Sequence, residues 1–184
     1  MNDAPRVLVI GRIPAVNQRA VTELCEHGLA AVGVAGEGDF PDLDASGFAV
    51  VAIGGAIDPE ARAGLKQRFH GQDPRTIVLD AYGPVVIPQV DAALRRAAGA
   101  ATILSAVTVD ADADGWQVRV TVDRACALRL AAHRFPASAD ITPLAAFDAA
   151  AGAHAFTVDR ACAGAMLVVR ADDDVEVRRL PGWP

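Results

Sequence analysis

Few residues in this chain have the type and spacing that chemistry needs. Arg12 follows the apolar run Val7–Ile10, and Asp80 and Tyr82 lie at the end of the run Thr76–Ala81. A guanidinium above one strand end could meet an anion, and a carboxylate above another could orient it. The simpler reading, preferred here, is an Arg12–Asp80 ion pair. Gly11 and the pair Gly54–Gly55 close the first and third apolar runs, and Asn17 follows one turn into the next segment. Gly11, Arg12, Asn17, Gly54, Gly55, Asp80 and Tyr82 are therefore the candidate ligand-binding residues, and none is assigned a catalytic role.

Other chemistries lack their parts. Phosphate sites need clustered glycines before a helix, and neither GxGxxG nor GxxxxGK[ST] occurs. Glu37 imitates a ribose-binding acid but is read as a solvated turn residue. None of the three serines, Ser46, Ser105 and Ser138, sits in a GxSxG elbow. Cys25 falls on an apolar stripe, and Cys126 and Cys162 are read as small buried residues. No CxxC or HxxxH spacing offers a zinc site. Asp110, Asp112 and Asp114, followed by Gly115, match the start of a calcium loop. The twelfth position is Thr121, and Asp-Ala-Asp-Gly also makes a hairpin turn, so no metal is expected. No cofactor is expected either.

The elements that must position these residues follow two periods. Over the first half, apolar runs at Arg6–Ile10, Leu29–Ala35, Phe48–Ile57 and Thr76–Ala81 read as buried strands. Helical spacing fills the gaps: Val16, Ala20, Val21, Leu24 and Cys25 inward, with Asn17, Arg19, Glu23 and Glu26 on the other face. Asp58-Pro59-Glu60 is a helix start with Ala61, Leu65 and Phe69 buried, and Pro88 opens a last helix with Val90, Ala93, Leu94 and Ala97 inward. Right-handed crossovers then give a short doubly wound parallel sheet, order 2-1-3-4, in an α/β domain over 1–99. Its ligand crevice lies at the carboxyl ends of the strands.

From residue 101 the apolar residues alternate, with turn signals at Asp114-Gly115, Pro136, Pro143, Gly152, Gly164 and Asp172–Asp174. Strands are predicted at 102–109, 116–123, 126–134, 141–147, 153–158, 165–170 and 175–180. They make a small antiparallel β-sandwich over 100–184, giving an α/β plus all-β chain. Thr121-Val-Asp-Arg-Ala-Cys-Ala127 recurs as Thr157-Val-Asp-Arg-Ala-Cys-Ala163. The recurrence could mark a paired site or a Cys126–Cys162 link; it is read as two similar turns.

Arg6-Val-Leu-Val-Ile-Gly-Arg-Ile-Pro-Ala-Val16, Phe48-Ala-Val-Val-Ala-Ile-Gly54 and Thr76-Ile-Val-Leu-Asp-Ala-Tyr-Gly83 resemble the first, third and fourth strands of response-regulator receiver domains. The resemblance covers about residues 6–98. It implies a flavodoxin-like fold and places the Mg²⁺-binding acid pair on Gly11 and Arg12, the phosphoacceptor on Gly54 and the hydroxyl residue on Asp80. The fifth strand and its lysine have no counterpart, since Lys66 lies on the preceding helix. It therefore implies a pseudo-receiver without the phosphotransfer chemistry. The second half resembles immunoglobulin-like or fibronectin-like sandwiches in architecture, without the paired cysteine and tryptophan signature; Trp116 and Trp183 are not placed for it.

Composition limits the partners. The 184 residues carry a net charge of −6, divided equally between the halves, so no nucleic-acid partner is expected. No apolar run approaches the about 20 residues that span a bilayer, and no leader pattern opens the chain. Three cysteines without a leader point to a reducing, cytoplasmic setting. The expected function is a non-catalytic protein–protein interaction or scaffold module, self-associating as a homo-oligomer. The alternatives are a small-ligand sensor at the strand-end crevice and an enzyme built around Arg12 and Asp80.

Overall fold

Apolar runs without alternation suit strands whose two faces are covered. Here they form β1 (Arg6–Gly11), β2 (Ala30–Ala35), β3 (Val50–Gly54) and β4 (Ile77–Ala81); β1 and β3 are buried at the centre, whereas β2, expected as a buried strand, lies at the sheet edge with four of its six residues exposed. A computed structural model describes residues 4–36, 40, 42–113, 115–134 and 140–182 of the chain. It divides into two compact units, Met1–Ala97 and Ala98–Pro184.

In the first unit the four strands pair in parallel in the order β2-β1-β3-β4. Alternate residues serve opposite faces. Val7, Val9, Val50 and Ala52 pack against Ala20 and Leu24 of α1 (Pro14–Glu26) and Val86 and Val90 of α3 (Val86–Ala97). Leu8, Ile10, Val51 and Ile53 pack against Leu65 and Phe69 of α2 (Pro59–Gln72). Each fully buried side chain of this size contributes about 1.5–3 kcal/mol. Local signals set the helix ends. Pro14 occupies the first turn of α1, and Gly28 follows its end at φ +89°, where a side chain would be strained. Asp58 caps α2, its carboxylate accepting the N–H groups of Glu60 and Ala61. Pro88 does not open α3: a 3-10 turn at Gly83–Val85 leads into the helix two residues earlier, at Val86.

No helix joins β2 to β3 among the described residues. Phe40, Leu43, Ala45 and Phe48 instead cover the sheet beside α2. Side chains of α2 hold this segment. Arg68 donates to the Phe40 carbonyl at 2.6 Å, and Gln72 donates to the Leu43 carbonyl and accepts from the Ala45 N–H.

The described residues of the second unit form β5 (Leu104–Asp112), β6 (Gly115–Val122), β7 (Cys126–His133), β8 (Ile141–Ala149), β9 (Gly152–Asp159), β10 (Met166–Ala171) and β11 (Asp174–Arg179). They form two antiparallel sheets, β5-β6-β9 and β11-β10-β7-β8. Alternation explains the core. Val118, Val120 and Val122 of the first sheet meet Leu128, Leu130, Leu167 and Val169 of the second. β8 lies beside β7, which differs from the constant-type immunoglobulin order, where the fourth strand joins the sheet of the first, second and fifth. Trp116 is buried in this core. Glu37, Asp114, Pro136, Ser138 and Trp183 lie outside the described residues.

The recurrent heptapeptide marks two equivalent crossovers. The first copy carries the chain from β6 to β7 and the second from β9 to β10, each time out of the three-stranded sheet into the four-stranded one. Since β6 pairs with β9 and β7 with β10, β6–β7–β8 and β9–β10–β11 are topologically matching units. Cys126 and Cys162 are both buried and both free thiols, so no disulfide links the copies. The copies differ locally, since the second forms a 3-10 turn capped by Asp159.

Asp172 and Asp173 form the tip of the last hairpin, but Asp174 turns inward. It is 6% exposed, and its carboxylate accepts the N–H groups of Ile103 at 2.6 Å and Leu104 at 3.1 Å. This ties the start of β11 to the start of β5. Asp174→Ala is expected to lower unfolding free energy by about 1–3 kcal/mol, because it strands two buried donors. Asp174→Asn, which keeps an acceptor oxygen, should lose less; the midpoints of urea unfolding measure both.

Candidate functional site

The carboxyl ends of the parallel strands bring the predicted residues to one end of the sheet, where the side chains of Asn17 and Asp80 are committed to the protein. Asn17 is the clearest case. The expected polar face of α1 is not where it lies: it is 5% exposed, while Val16, expected inward, is 47% exposed. The buried stripe runs Asn17, Ala20, Leu24, with Val21 packed beside it. Asn17 can be buried because its amide has partners. Nδ2 donates to the Val9 carbonyl at 3.1 Å and the Val34 carbonyl at 3.0 Å, spanning β1 and β2. Two glycines make room for it. A Cβ on Gly11 would lie 3.2 Å from Asn17 Nδ2, and one on Gly33 would collide with Asn17 Oδ1 and come within 2.8 Å of Val21.

The Arg12–Asp80 ion pair does not form. Asp80 faces α2 rather than α1, because the strand alternation that points Leu79 to one face points its neighbour to the other. Its partners are Lys66 Nζ at 2.7 Å and Arg62 Nε at 3.8 Å. Both residues were invisible as site residues in the sequence. They lie one helical turn apart on α2, and that spacing is the signal that could have found them. Arg62 also donates through Nη2 to the carbonyls of Gly55 and Ile57, at 2.9 and 2.7 Å, fastening the turn between β3 and α2. Asp80 is 46% exposed, so solvent screens these pairs and they add little stability. Arg12 is exposed and makes no hydrogen bond or ion pair with the described residues.

The remaining candidates line the same end. Gly54 backs onto β1, where an added Cβ would lie 3.1 Å from the Ile10 carbonyl; Gly55 opens to space. Tyr82 is buried, 6% exposed. Its N–H donates to Gln89 Oε1, and Gln89 Nε2 donates to the Asp80 carbonyl, both at 2.9 Å. The Ile77 N–H donates to Ala49 of the β3 side, so the even residues of β4 turn their backbone groups to the free edge. Gln89 therefore occupies part of the edge on which a fifth strand would pair. An amide buried on an apolar helix stripe gave no sequence signal for this role.

The metal candidates are likewise engaged. Asp110 pairs with Arg119 at 3.3 Å across the β5–β6 hairpin. Asp112 accepts from Gln117 and from the Ala113 N–H, which hold its carboxyl below the ordinary range. Asp112 pairs with Gly115 at the end of the β5–β6 ladder. Asp114 lies outside the described residues. Among those described, no group of three or more His, Cys, Asp or Glu side chains is arranged to hold a metal ion. Cys25, expected in the core, is exposed, its thiol 3.7 Å from the Ala31 carbonyl. No helix among the described residues is long and apolar enough to cross a membrane.

No protein-family model matches the chain. No curated protein matches it. An X-ray structure of a protein from Agrobacterium tumefaciens is similar at 12% identity and a TM-score of 0.39, over 99% of this chain and 96% of that one. A likeness so distant carries no conclusion about this chain.

Tyr82 is the chain's one tyrosine, so its titration can be read alone. Burial disfavours the phenolate and raises its pKa above the ordinary value of about 10. The folded state then holds the proton more tightly than the unfolded state. The resulting stabilisation is full below the unfolded pKa and is lost as pH rises through the folded one. Phenolate absorbance should titrate at a higher pH in the native chain than in urea. Equal midpoints would mean that the hydroxyl is solvated.

Proposed function

We propose that the chain is a cytoplasmic, non-catalytic protein–protein interaction module. It is built on a degenerate receiver-like domain and an immunoglobulin-like sandwich, and its partner is a second copy of itself. The observation that carries this reading is the inward commitment of the strand-end polar groups. Asn17 bonds β1 and β2, Asp80 bonds α2, and glycine stands at the position matching a receiver's phosphoacceptor. Arg12 alone projects from this end without a partner among the described residues. The large apolar side chains left exposed, Ile13, Val16, Val32, Ile141 and Phe147, support contact with protein rather than with a small polar ligand.

Native mass spectrometry of the full chain, with Arg12→Ala and Asp80→Ala, tests the reading. The expected spectra contain a self-associated species without additional small-molecule mass, in the same proportion for all three chains. A stoichiometric small molecule that either substitution removes would overturn the reading in favour of a ligand sensor at the strand ends.

A further inference from the structure

We infer that two copies of the chain associate by pairing β2 with β2, antiparallel about a two-fold axis at Gly33; this rests on the self-association reading above. Sheet edges expose unpaired backbone groups, and proteins blunt them with charge, proline, bulges or cover. The other edge strands here are blunted. β4 carries Asp80 and is partly occupied by Gln89. β5 has a register irregularity and two aspartates, and β8 has a register irregularity, Pro143 and Asp148. β9 ends on Asp159, and β11 carries Glu176, Arg178 and Arg179. β2, Ala-Ala-Val-Gly-Val-Ala, has none of these devices, and its pairing with β1 is regular throughout.

Its geometry suits its own copy. The Ala30 N–H donates to Pro5 and the Gly36 N–H to Gly11, so the even residues bond toward β1. Alternation turns the N–H and C=O groups of Ala31, Gly33 and Ala35 outward. Around Gly33 the sequence reads the same in both directions: Val32 and Val34, then Ala31 and Ala35. With Gly33 opposite its own copy, Ala31 meets Ala35 of the second chain, and the outward groups exchange bonds as hydrogen-bonded pairs. Val32 then meets Val34 in the closer, non-bonded pairs. The charge fit is neutral, since no charged side chain opposes another along the row. The two-fold closes the contact at a dimer. The contact is a single strand pair about 20 Å long, with no second element beside it, so the dimer is weak and concentration-dependent.

Sedimentation velocity over a concentration series of the full chain, with Val32→Lys and Ala35→Pro, tests this. Val32 is 48% exposed and tolerates a lysine, which would place a charge against an apolar partner. Ala35→Pro removes an outward N–H and no internal bond. The wild type should form a dimer as concentration rises, and each substitution should weaken it at least about tenfold, a difference of about 1.4 kcal/mol, with thermal midpoints unchanged. If Ala35→Pro lowers its midpoint, Val32→Lys alone decides. Association untouched by Val32→Lys would overturn the β2 interface while self-association stands. A wild type that stays monomeric at the highest soluble concentration would overturn both.

Discussion

The side-chain amide of Asn17 is the interaction on which the parallel unit turns. In a parallel sheet of this order the crevice for a ligand lies at the carboxyl end between β1 and β3, where the strand order reverses. Asn17 lies one strand away, over β1 and β2. Two donated bonds join the β1 and β2 backbones, and Gly11 and Gly33 provide the space. Once that amide is placed, α1 is fixed in rotation: Ala20 and Leu24 face the sheet, and Val16 and Cys25 turn outward. The exposed apolar start of α1 is a consequence of this rotation rather than a separate feature.

The same economy recurs wherever the doubly wound pattern is cut short. Among the described residues no helix joins β2 to β3, and a segment held by Arg68 and Gln72 covers the sheet there. Gln89 caps part of the outer edge of β4. Arg62 fastens the turn after β3. Each is a long polar side chain reaching from a helix to strand or loop backbone. Such contacts close a small sheet. They also leave β2 as the edge with the least protection.

Much of the architecture was legible in the sequence, because period and turn chemistry are local. Continuous apolar runs identified the parallel strands, and Asp58-Pro59 and Gly28 marked helix ends that the structure keeps. The alternating segments became the antiparallel strands β5 to β11, and β5 and β6 pair as a hairpin. The site was less legible. Asn17 looked like a surface residue because its partners are backbone carbonyls, which no side-chain pattern reveals. Arg12–Asp80 looked like a pair because both lie at strand ends, yet alternation along β4 sends Asp80 to the opposite face. Asp174 looked like a hairpin tip, and only tertiary pairing with Ile103 and Leu104 explains its burial.

The central claim is that Asn17 serves the fold and not a ligand. The most direct measurement is the equilibrium unfolding free energy of Asn17→Ala against wild type. Loss of donors to two carbonyls predicts a decrease of about 1–3 kcal/mol, and the cost of Gly33→Ala should shrink in the Asn17→Ala background because one of the colliding groups is gone. A variant as stable as wild type, or more stable, would contradict the account, since polar residues kept for binding are commonly held at the expense of stability.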